Sequence, residues 1–158
     1  MKPEPNPSHV FANSTGIQDV TQYVERLLRV KASNTPEMRR ELIPTIRKEL
    51  LAHEQAELHE VYPVFLQHDD TRALAEEHER EAGQLQTVLD ELMGLAVDDA
   101  AWDRTFDRLF ELVSEHVKRE EHVYFPAGEK AFGPRTDEML ARYDVIRAQA
   151  MHDLNRTP

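Results

Sequence analysis

His53-Glu54-Gln55-Ala56-Glu57-Leu58-His59-Glu60-Val61-Tyr62-Pro63 is the stretch on which the fold reading turns. At an offset of 63 the chain reads His116-Val117-Lys118-Arg119-Glu120-Glu121-His122-Val123-Tyr124-Phe125-Pro126. First His, Glu, second His and Pro all match, which marks an internal repeat of a helix–helix unit. In each copy a His and a Glu four apart lie about 40° apart around a helix axis, one turn above the other. Each HxxxE lies on its helix's apolar stripe, where Leu would otherwise be expected.

Outward from these segments the hydropathy pattern stays helical. Residues 16–32 give a first helix with Ile17, Val20, Val24, Leu27 and Leu28 on one stripe. In the break Ser33-Asn34-Thr35-Pro36, Thr35 can cap and Pro36 fits a first helical position. A second helix runs from about 36 to 62, with Leu42, Ile46, Leu50, His53, Glu57 and Val61 inward. Pro44 is expected to kink or restart it and Pro63 to stop it. A third helix, opened by Asp69-Asp70-Thr71 and ending near Leu95, carries Leu74, His78, Leu85, Leu89 and Leu92. A fourth, capped by Asp98 or Asp99 and ending before Pro126, carries Phe106, Leu109, Val113, His116 and Glu120. A weaker stripe through Met139, Leu140, Tyr143 and Ile146 gives a fifth, expected to pack across the outside or the end of the bundle. The expected organisation is an extended arm over 1–15, an up-down four-helix bundle over 16–130 and a C-terminal helix over 131–158 packing on it. The fold class is all-α.

Composition agrees. The 158 residues include only five Gly, and 31% are charged, which favours amphipathic helices over sheet. Acidic residues outnumber basic ones 30 to 19, a net charge of -11, so nucleic acid and anionic membrane surfaces are repelled. Cysteine is absent, which removes disulfides, thiolate zinc sites and iron–sulfur clusters. No apolar run approaches the roughly 20 residues of a membrane span. The start, MKPEPNPSHVFANST, lacks the apolar region of a signal peptide, so a cytoplasmic location is expected.

An ionised carboxylate buried without a partner costs several kcal/mol. Two carboxylates and two imidazoles on core stripes therefore call for a compensating charge, which a metal pair supplies. His78 adds a third imidazole from a third helix. Mixed imidazole and carboxylate donors suit Fe, Mn or Zn, and carboxylates able to bridge favour a dinuclear centre, commonly iron in helical bundles. The spacing is HxxxE and not the ExxH of ferritin-like sites.

These motifs, HEQAELHEVYP and HVKREEHVYFP with EEHER around His78 between them, resemble the hemerythrin-like HHE cation-binding domains over roughly residues 17–130. The resemblance implies a four-helix bundle with two non-haem iron ions, oxo- or hydroxo-bridged. His53, His78 and His116 would be terminal ligands, with Glu57 and Glu120 bridging. It also implies a small ligand, whether dioxygen, peroxide or nitric oxide, for sensing, storage or scavenging. A peroxide-consuming di-iron enzyme and a metal-free interaction module are the alternatives.

One departure stands out. The family's first helix supplies a His about 30 residues before the second-helix His, whereas GIQDVTQYVERLLRV has none. That count lands on Tyr23, which can act as a phenolate ligand, donate a hydrogen bond to a bound ligand, or simply fill a helix interface. His9 from the arm and an open coordination position are the other ways to fill the gap. His59 and His122, about 240° round from the ligand histidines, are expected to face away. Glu54 and Glu121 read as solvated charges. Tyr62 and Tyr124 are expected to close the bundle end, His68 and His152 to be surface residues, and Trp102 to be core or interface packing.

Overall fold

The computed structural model describes residues 28–29 and 35–156. The expected arm, His9, Tyr23 and all but two residues of the expected first helix lie outside the described residues. Helix α1, Pro36–Ala56, opens as expected: the Thr35 side chain accepts from the Met38 N–H at 3.4 Å, and Pro36 occupies the first turn. It runs unbroken through Pro44, so the chain does not restart there.

At the first motif the helix widens into a π-turn, Glu57–Val61, and continues as α2, Tyr62–Gln67. The second motif does the same: α4, Trp102–Arg119, passes through a π-turn, Glu120–Tyr124, into α5, Phe125–Phe132. Pro63 and Pro126 therefore do not end their helices, contrary to the sequence expectation. The Tyr62 N–H bonds to the Glu57 carbonyl and the Phe125 N–H to the Glu120 carbonyl, each five residues back. The extra residue loosens the turn where each proline ring would otherwise meet the carbonyl four residues behind it.

Helices α3, Arg72–Met93, and α6, Arg135–Arg156, complete the set. They begin 63 residues apart and end 63 residues apart, and so do the two π-turns. The repeat thus extends through the helix that follows each motif. Packing obeys the same relation, with α4 lying against α3 and α6 against α1. Helix α6 is therefore not an outer appendage: it buries Met139, Tyr143 and Ala150, and Tyr143 reaches the interior of the site. At the start of α4 the cap is Ala101, while Asp99 accepts from the Ala101 N–H at 2.8 Å. Trp102 is buried as expected, stacked on Phe106 and covered by the Arg39 guanidinium 4.0 Å above its ring.

Two apolar clusters fill the interior. One joins Ile43, Ile46 and Leu50 of α1 to Leu85–Leu92 positions of α3 and to Trp102, Phe106, Leu109 and Val113 of α4. The other gathers Val61, Tyr62, Phe65, Ala75, Tyr124, Phe125, Phe132, Met139 and Tyr143. Helices α1 and α4 run from the first cluster to the second and α3 runs back, as short connections require. Between the clusters, on all three helices, sit the polar residues. The described residues form an all-α helical bundle with a C-terminal helix, and no strand occurs among them. No helix among them is long and apolar enough to cross a membrane.

Candidate metal centre

His53 and Glu57 follow Leu50 on α1, His78 lies between Ala75 and Leu85 on α3, and His116 and Glu120 follow Val113 on α4. All five are buried; His78 is 0% exposed and the two glutamates 1% each. The structure brings together Glu54, Glu57, His78, His116 and Glu120, one ligand atom from each lying within 4.8 Å of the others. His53 borders that group, its Nε2 2.7 Å from Glu57 Oε1 and 3.6 Å from Glu120 Oε2. Across the helices His78 Nε2 meets Glu57 Oε2 at 2.9 Å and Glu120 Oε1 at 3.5 Å. His116 Nε2 lies 2.7 Å from Glu120 Oε1 and 3.1 Å from Glu54 Oε1.

These close approaches are a test of whether a cation fits. Glu57 Oε1, Glu120 Oε1, His116 Nε2 and both Glu54 oxygens are buried, yet none makes a hydrogen bond of acceptable geometry among the described residues. Their lone pairs converge on shared space and not on one another. A donor set 2.0–2.2 Å from an ion places neighbouring donors about 3 Å apart and opposite ones a little over 4 Å apart, within the spread observed. The residues fit a metal.

Glu54 corrects the sequence expectation of a solvated charge. It sits three residues before Glu57, hence about 60° away on the same side of α1, and α4 packs so that this side faces His116. That i,i+3 spacing is the signal the sequence offers.

Outer partners hold the imidazoles. Glu81 of α3 takes His116 Nδ1 on Oε2 at 3.1 Å and accepts from the Tyr124 hydroxyl on Oε1 at 2.9 Å. Arg119 donates to both Glu81 and Glu77. At the other end Tyr143 Oη and His53 Nδ1 share a hydrogen bond of 2.5 Å. Tyr62 stacks on His78 with ring centroids 3.6 Å apart, and Tyr124 stands edge-on to the same ring at 6.0 Å. The two tyrosines expected to close the bundle end thus pack directly on a candidate ligand. Sequence reasoning misses Glu81 and Tyr143, whose partners come from a different helix. His59, His122 and Glu121 are exposed as expected.

The electrostatics follow from this crowding. Burial opposes a charged His53, but Glu57 and Glu120 outweigh it and hold the imidazole well above its ordinary value. His78, against the same burial penalty, is pushed up to about 9 by its bonds to Glu120 and Glu57. His116 is raised well above the ordinary value by Glu120, Glu54 and Glu81, again against burial. Among the acids, burial and the charge on Glu120 raise Glu57, whereas Glu120 is held well down by His116 despite its burial. With no cation present, the surrounding carboxylates thus favour the protonated form of all three imidazoles.

The profile of the hemerythrin HHE cation binding domain matches residues 16–128. The chain belongs to that family. The match takes in both HxxxE motifs and His78 and stops before α6, so Tyr143 lies outside it. No curated protein and no solved structure matched the chain. As an HHE domain with a buried His/Glu cluster, the chain is a candidate metal-binding protein.

Proposed function

We propose that this HHE domain holds two non-haem iron ions and interacts through them with dioxygen, peroxide or nitric oxide. The observation that supports the reading is the convergence of two imidazoles and three carboxylates from α1, α3 and α4 between two apolar clusters, with His53 at the border of the group. In this reading His53, His78, His116, Glu57 and Glu120 would hold the pair, and Glu54 would add a third carboxylate on the His116 side. Iron so held would offer exchangeable coordination positions and one-electron chemistry to a small ligand. The protein's own part is to fix the imidazole tautomers through Glu81 and Tyr143, to keep bulk water off with the two apolar clusters, and to set the charge with three glutamates. Tyr23, from the segment before α1, is proposed as the remaining donor.

A metal-free interaction module would leave convergent buried oxygens without hydrogen-bonding geometry, each at a cost of about 1–3 kcal/mol. The test is the optical spectrum of iron-loaded protein before and after exposure to dioxygen, peroxide or nitric oxide. A near-ultraviolet oxo-bridge absorption that changes with one of these ligands supports the reading, and an unresponsive spectrum opposes it. Loss of a visible phenolate band in Tyr23→Phe would assign that residue. Continuous consumption of peroxide by loaded protein, lost with the iron, would make the chain an enzyme.

A further inference from the structure

We propose that Tyr143, on the C-terminal helix beyond the family match, is the positioning residue for His53, and that it makes the two halves of the centre unequal. This rests on the metal-site reading above. The repeat relates the two halves: α4 packed on α3 corresponds to α1 packed on α6. In the first half the Nδ1 of His116 meets a carboxylate, Glu81, at 3.1 Å. In the second the Nδ1 of His53 meets a phenol, Tyr143, at 2.5 Å, both side chains being buried. The two partners are not equivalent positions in the repeat, since the mate of Glu81 is Asp144 and the mate of Tyr143 is Arg80. The phenol on His53 is thus a feature of this half alone.

In both imidazoles Nε2 faces the glutamates, so a metal on Nε2 leaves the proton on Nδ1, from which it is donated outward. Both partners therefore fix the ring and its tautomer. They differ in charge. An anionic acceptor increases the electron density on its imidazole more than a neutral phenol does, so the His116 half is the better donor. Glu54, 3.1 Å from His116 Nε2, adds negative charge to the same half. Arg142 of α6 donates to Oε2 of Glu60, within the first π-turn, at 2.7 Å and ties the segment carrying Tyr143 to it. The His116 half fills first and the His53 half second, with α6 controlling the second step.

The test is titration of the full chain with Co²⁺, read by calorimetry and by the ligand-field spectrum, in wild type, Tyr143→Phe and Glu81→Gln. Two resolved steps are expected in wild type. Tyr143→Phe should weaken the second step roughly 10–100-fold and change its spectrum, leaving the first intact. Glu81→Gln should weaken the first by a similar factor. Circular dichroism separates these results from misfolding, and Tyr143→His, which restores a hydrogen-bonding ring, should recover part of the second step if Tyr143→Phe is poorly folded. Two steps that Tyr143→Phe and Tyr143→His leave unchanged in affinity and spectrum overturn the proposal while the metal-site reading stands. Wild type that takes up no Co²⁺ overturns both.

Discussion

His78 Nε2 lies 2.9 Å from Glu57 Oε2, joining α3 to the first π-turn across the middle of the bundle. The same glutamate is 2.7 Å from His53 and shares the interior with Glu54 and Glu120. Glu57 is thus where the requirements of a stable metal-free fold and of a cation site oppose each other most directly.

Burial and the charge on Glu120 raise the Glu57 carboxyl, so folding disfavours its ionised form. Glu57→Gln removes that charge while keeping the shape. Because the same charge raises His53 and His78, its removal should make the metal-free variant's loss of stability from pH 7 to 9 shallower than the parent's. Metal uptake by the same variant should fall sharply. Urea midpoints of the metal-free proteins at pH 7 and 9 check this, and an equally steep fall in the variant would show that Glu57 does not hold the imidazole protons.

The imidazoles set a pH dependence of known sign. A raised folded value means a stabilising contribution that is full below the unfolded value of 6.5 and lost as pH rises; for His78 the loss runs through about 9. Raised His53 and His116 act in the same direction. Glu120, held down, contributes above its unfolded value of 4.5 and loses that contribution on acidification. Metal-free protein should therefore lose stability from pH 7 to 9. Metal loading should abolish that trend and release protons, since each ligating imidazole must be neutral. Thermal melts at several pH values and an indicator-dye titration at pH 7 measure the two effects. Metal uptake without proton release would contradict the assigned donors.

Tyr62 makes a different prediction. Its ring lies on His78, but its buried hydroxyl has no hydrogen-bond partner among the described residues. Tyr62→Phe keeps the stack and removes a desolvated polar group, so its melting temperature should be unchanged or higher. Tyr62→Ala, which loses the stack and leaves a cavity, should cost about 3–5 kcal/mol. A Tyr62→Phe loss above about 2 kcal/mol would show that the hydroxyl is engaged.

Much of this is legible in the sequence. Leu50, His53 and Glu57, or Val113, His116 and Glu120, follow one helical stripe, and a stripe interrupted by ionisable residues predicts both burial and a counter-charge. Thr35 and Pro36 announce the start of α1 because capping is local chemistry. What escapes depends on neighbours. Pro63 and Pro126 read as stops because an α-helix tolerates proline poorly, but a π-turn absorbs each of them. Glu54 reads as a solvent charge because its surroundings come from α4, and Glu81 and Tyr143 are invisible as site residues because their partners lie on other helices. The stripe on α6 is plain in the sequence, but its place along α1 follows from the repeat, which extends further than the motifs alone reveal.

The buried His/Glu cluster stands or falls as a metal site on one quantity. That quantity is the metal content of protein produced in iron-supplemented medium, by elemental analysis, alongside His53→Ala and His116→Ala. About two irons per chain in the parent, with a marked loss in both folded variants, is the predicted result. Folded parent protein with no bound metal, or variants that keep the parent's metal content, would contradict it.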